Sequence, residues 1–161
     1  MTVIHSSRGF TLIETVVATG VLITALAGVA QLMILGAQLT RQANASGQAL
    51  VAAQDKIESL RGLAFGYDAA GGKQTDPILE PSPSTSLSEN ASPYVDWIDS
   101  SGSPVTAADG ATFVRRWRVD TLDETAPDAI TIEVCVFRAS SGATDIRSAE
   151  ACLSTIRTRQ P

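Results

Sequence analysis

Histidine is almost missing from this chain: His5 is the single one in 161 residues. A Ser-His or Cys-His catalytic pair, or a His-based metal site, has that one residue to draw on. A phosphate-cradling loop is missing too, because Gly71-Gly72-Lys73 lacks the rest of the P-loop pattern. Asp96, Asp99 and Asp109 lack EF-hand spacing, which favours solvated loop acids over a calcium site. Excess positive charge is absent. Twelve Lys+Arg against 17 Asp+Glu give a net charge of −5 and a pI near 4.7, which argues against a nucleic-acid-binding surface. Cysteine is scarce, with only Cys135 and Cys152.

Charge is also missing from the whole stretch Thr15 to Leu39, which contains no proline either. About twenty apolar residues suffice to span a bilayer as a helix. Glu14 stands at the head of this run. A charge costs roughly 2.5–3.5 kcal/mol at mid-bilayer and less near an end, so an ionisable residue there is a functional candidate. His5 and Arg8 precede the run, and the positive-inside rule places them in the cytoplasm. The domain after Leu39 is then expected in the periplasm of a Gram-negative cell. A secretory signal peptide fits poorly, since the run is too long for an h-region and an acid interrupts its start. A plain signal anchor is the other alternative, because any apolar run of this length would span.

The segment Arg8-Gly9-Phe10-Thr11-Leu12-Ile13-Glu14, with the apolar run behind it, resembles the class III signal of type IV prepilins and pseudopilins. A small residue, a Phe, uncharged residues, one acid and an uninterrupted apolar helix occur in the right order. The resemblance implies that a prepilin peptidase cuts between Gly9 and Phe10, releasing 1–9 as a leader and N-methylating Phe10. It also implies that Glu14, the fifth mature residue, pairs with the N-terminal amine of a neighbouring subunit during assembly. Opposite charges attract far more strongly in a low-dielectric bundle than in water, and a lone buried carboxylate is penalised. The helix macrodipole favours an acid in the first turn as well. Loss of the leader would remove His5, leaving the mature domain without histidine. The match covers Arg8 to about Leu39. Further on, Arg115-Arg116-Trp117-Arg118-Val119 and the strands after it look most like PilV-type minor pilins or the I-type pseudopilins of type II secretion.

Periodicity organises the rest. The helix should run from about Thr11 to near residue 65, with Gly62 or Gly66 as terminator. Leu50, Ala53, Ile57, Leu60 and Ala64 form one apolar stripe, with Gln48, Asp55, Lys56 and Glu58 off it. Gly20, Gly28 and Gly36 lie eight apart. They fit close helix packing and equally the ordinary glycine content of membrane helices. Residues 66–111, rich in Gly, Ser and Pro, are expected as a long surface loop, with Tyr94-Val95-Asp96-Trp97-Ile98 as a short strand or anchored loop. Thr112–Thr121, Ala129–Arg138 and Ala151–Thr158 alternate as strands. Arg115, Arg116 and Arg118 are expected on a solvated strand face or paired with acids.

The expected fold is therefore α+β and pilin-like, with one long helix packed on an antiparallel sheet of three or four strands. Its divisions are 1–9 as leader, 10–39 as transmembrane and filament-core helix, and 40–161 as periplasmic domain, with the sheet at 112–158. Cys135 and Cys152 are expected to bond, since the compartment is oxidising and pairing of their strands brings them opposite one another. Two free buried cysteines are the alternative. The expected function is a minor pilin or pseudopilin, a structural subunit and not an enzyme, without metal or cofactor. Its partners would be prepilin peptidase, other pilins or pseudopilins and an inner-membrane assembly platform. The alternatives are a major pilin and a membrane-anchored periplasmic binding module.

Overall fold

A computed structural model describes residues 9–106, 108–123, 128–142 and 144–159. The expected leader residues 1–8 therefore lie outside the described residues. The chain divides into two compact units, Met1–Ala43 and Asn44–Pro161.

One helix, α1 (Leu12–Arg61), continues through both. Gly62 ends it as expected, with its N–H donating to the Glu58 carbonyl at 3.0 Å. Within the second unit its buried face is Ala49, Ala52, Ala53, Ile57 and Leu60, with Ala45 partly buried. The stripe is thus rotated from the expected one. Leu50 (46 % exposed) points out and Ala64 lies exposed beyond the helix end, while Lys56 turns partly in. Alanines at the contact let the helix approach the sheet closely, and a lysine stem can lie along apolar surface while its ammonium finds polar partners.

The main sheet has the order β4-β3-β5-β6-β7 and is wholly antiparallel. Its strands are β3 (Val95–Ile98), β4 (Pro104–Val105), β5 (Phe113–Thr121), β6 (Ala129–Arg138) and β7 (Ala151–Thr158). Five strands replace the expected three or four. A separate hairpin pairs β1 (Phe65–Tyr67) with β2 (Lys73–Thr75). Gly71, at φ +79°, turns this hairpin, a backbone region open to glycine without steric cost.

The expectation of a long surface loop over 66–111 is corrected. β1 extends into that span, β2, β3 and β4 lie inside it, and Leu79, Leu87, Tyr94 and Ile98 are buried. These anchors are isolated between prolines and serines, so no helix or strand period announces them. The Tyr94–Ile98 strand reading holds for Val95–Ile98.

The two longest strands, β5 and β6, bury both faces, by different means. Phe113, Trp117 and Val119 join Ile130, Ile132, Val134 and Val136 against the helix. Val114, Cys135 and Phe137 face the other way, where Leu87 covers them. The expected alternation is correct on both strands, but the arginines are not solvated as a group. Arg115 and Arg116 are buried at 7 % and 5 % exposure. Arg116 donates to Asn90 Oδ1 at 2.9 Å and to the carbonyls of Leu87 and Ser88, with its guanidinium over the Phe137 ring. It thereby pins the 87–90 segment to the sheet. Burial pulls its pKa down. Arg118 pairs with Glu133 at 2.8 Å.

Candidate functional site

Gly9 and Phe10 precede α1 without regular secondary structure, and Phe10 is 82 % exposed. Thr11 is the residue before the first helical position and Glu14 is the third helical residue. The Glu14 N–H donates to Thr11 Oγ1 and the Thr11 hydroxyl donates to Glu14 Oε2, both at 3.4 Å. These long contacts form a variant of the Thr-x-x-Glu capping box, in which side chains serve helix-start groups that have no intrahelical partner. Glu14 thus has a local role, which the sequence already carried in its Thr11…Glu14 spacing. The acid is exposed, at the helix end whose dipole favours negative charge.

From Leu12 to Leu39 the helix surface is mostly apolar, with Glu14 its one charge. Leu12, Ile13, Val17, Leu26, Leu32 and Leu39 are each more than half exposed. An 18-residue window of α1 has a mean hydropathy of 2.0 with none of it buried, so the helix is long and apolar enough to cross a membrane. Thr15 to Leu39 measures roughly 37 Å at about 1.5 Å per residue, against roughly 30 Å of hydrocarbon. The threonine hydroxyls suit that setting. Thr15, Thr19, Thr24 and Thr40 each donate to a carbonyl four residues earlier, so none needs water. Gly20, Gly28 and Gly36 have open space where a Cβ would stand.

In the second unit the helix is tied to the sheet by charge. Asp96 on β3 accepts from Arg115 Nε at 2.8 Å and Nη2 at 2.9 Å, and from Lys56 Nζ at 2.9 Å. Arg115 Nη1 also donates to the Ala52 carbonyl on the helix at 2.8 Å. Lys56 Nζ sits 3.7 Å from the centre of the Trp117 ring, a cation–π contact. Burial pushes the Asp96 carboxyl up, but the hydrogen bonds from Arg115 and Lys56 outweigh it and hold the group below its ordinary value. Lys56 also moves down, because burial, aided by the nearby Arg115 charge, outweighs the pull of Asp96. Every carboxylate oxygen and guanidinium edge in this cluster has a partner, which suits a clamp. Trp117 Nε1 is a buried donor without a hydrogen-bond partner.

Cys135 and Cys152 are bonded. They are register partners on β6 and β7, with Cα atoms 4.1 Å apart, so the strand pairing brings them together as expected. Arg157 on β7 donates to the carbonyls of Leu60 and Leu63 at 3.0 and 2.6 Å, satisfying groups at the C-terminal end of α1. A groove of about 370 Å³ lies between α1 and the β3–β4 hairpin, lined by Val51, Ala52, Asp55, Ile98 and Phe113 among others. Asp99, at its rim, uses Oδ1 to accept from the Ser101 N–H and hydroxyl and from the Ser103 N–H, closing the hairpin turn. Among the described residues no group of three His, Cys, Asp or Glu side chains is placed to hold a metal ion.

Comparisons with protein-family models, with curated proteins and with solved structures find no match to this chain.

Proposed function

We propose that the chain is a minor pilin or pseudopilin, a structural subunit that assembles through its N-terminal helix into a type IV pilus or a type II secretion pseudopilus. One observation carries the reading. The accessible Gly9–Phe10 junction and Glu14 stand at the head of an apolar, exposed helix that continues unbroken to Arg61 and packs there on an antiparallel sheet. In this reading prepilin peptidase removes residues 1–9 and methylates Phe10. The apolar half of α1 holds the subunit in the inner membrane and later in the filament core. The disulfide-bonded domain matures in the periplasm. Its polar clusters act as structural clamps, and the protein's work is assembly, not catalysis.

Quantitative mass spectrometry of sheared filaments and of the membrane fraction tests the reading. A minor subunit co-purifies with filaments at a small fraction of the main subunit. High abundance in the filament would make it a major pilin. Complete retention in the membrane, apart from any filament, would make it an anchored periplasmic module.

A further inference from the structure

The two edges of the five-stranded sheet are built differently. At one edge β4 has only two residues, Pro104 and Val105. Proline has no N–H to offer and a short strand gives a neighbour little to pair with, both common ways of blunting an edge. At the other edge β7 has eight residues and pairs with β6 alone among the described strands.

The free side of β7 can be read from its register. The Arg159 N–H donates to the Asp128 carbonyl, which sets the alternation of the antiparallel ladder. Ala151, Leu153, Thr155 and Arg157 therefore bond to β6 and lie opposite Val136, Val134, Ile132 and Ile130. Cys152, Ser154, Ile156 and Thr158 turn their N–H and C=O groups outward. All four of these side chains are exposed and uncharged, and Ile156 is 58 % exposed. The strand's one charge, on Arg157, is drawn to the Leu60 and Leu63 carbonyls. Neither proline nor an outward charge guards this edge, and the disulfide at Cys152 fastens the strand to β6.

We propose that β7 is a homotypic docking edge that takes the β7 of a second copy of this chain in antiparallel register about Thr155. In that register Cys152 faces Thr158, Ser154 faces Ile156 and Leu153 faces Arg157. The outward groups of the first two pairs exchange backbone hydrogen bonds in both directions. Like charges never face each other across the seam, which would weaken cross-strand pairing. A charged foreign strand finds no opposite charge here, whereas a second β7 matches the edge in length, polarity and regularity. Two five-stranded sheets then become one continuous sheet. The inference rests on the strand edge and is independent of the filament reading.

Light scattering on the full chain in detergent micelles, combined with residue-resolved hydrogen exchange, tests it. The expected result is a dimer in which the outward Ser154 and Ile156 amides exchange slowly. Ile156→Lys should return the monomer mass and open the outward amides at positions 154 and 156 while the Cys135–Cys152 bond stays closed to thiol labelling. Ser154→Pro removes one outward donor and no bond to β6, and should act in the same way. If Ser154→Pro exposes free thiols, Ile156→Lys alone decides. A monomeric wild type would overturn the proposal. So would a dimer whose Ser154 and Ile156 amides exchange like an open strand, which would assign the contact to the apolar helix.

Discussion

Lys56 and Asp96, forty residues apart, meet at 2.9 Å and join the helix to the sheet. Arg115 completes the junction by holding the same carboxylate and the Ala52 carbonyl. Removing the shared acceptor leaves two cations without an acid. Asp96→Ala should therefore destabilise the domain by about 3 kcal/mol, the scale of a broken buried pair. Lys56→Met keeps the packing on Trp117 and leaves Asp96 with Arg115, so it should cost about 1 kcal/mol or less. Denaturant unfolding of both variants checks the order.

The same carboxylate predicts a pH dependence. The folded pKa of Asp96 lies below its ordinary 3.8. The unfolded chain therefore binds the proton first as pH falls, and the contribution is fully present above 3.8 and lost as pH drops through the folded value. Asp99 and Asp128 shift in the same direction, so the loss is shared. Asp96→Asn should flatten, but not abolish, the fall of melting temperature below about pH 4.

Cys135 and Cys152 are 17 residues apart in sequence. Closing a loop of that size stabilises a fold by about 3 kcal/mol in the chain-entropy estimate. Reduction should therefore loosen β7 first and leave α1 helical. Loss of exchange protection at Leu153 and Thr155, with far-UV helical signal retained, is the expected observation.

Glu14 caps the helix start, and the proposed function gives it an assembly role as well; two substitutions separate the two. Thr11→Ala removes the cap and should cost about 1 kcal/mol of helix-start stability, while leaving incorporation into a filament intact. Glu14→Ala should leave membrane insertion intact, since it removes a charge from an apolar segment, and should abolish crosslinking to neighbouring pilins. Equal crosslinking in the two variants would reduce Glu14 to a capping residue.

Much of this fold was legible in the sequence, and its limits have physical causes. Ile130, Ile132, Val134 and Val136 share a face because period-two alternation is enforced by the pleat, and that register brought Cys135 opposite Cys152. Lys56 was misplaced because charge suggests solvent, whereas its stem and ammonium are accommodated by Trp117 and Asp96. Arg116 defied the same rule, its guanidinium being occupied by the carbonyls of the 87–88 segment. The anchors Leu79 and Leu87 carry no period, so their burial follows from tertiary contacts alone. The Thr11–Glu14 box is carried by the Thr-x-x-Glu spacing itself, although the same acid also fits a charge at the head of a membrane helix.

In the proposed function this chain is a filament subunit processed by prepilin peptidase. Intact-mass measurement of the membrane-extracted protein, from cells with active prepilin peptidase, tests it most directly. The predicted result is a mature chain that begins at N-methylated Phe10 and lacks residues 1–9. A mass that retains residues 1–9 under those conditions would contradict the account.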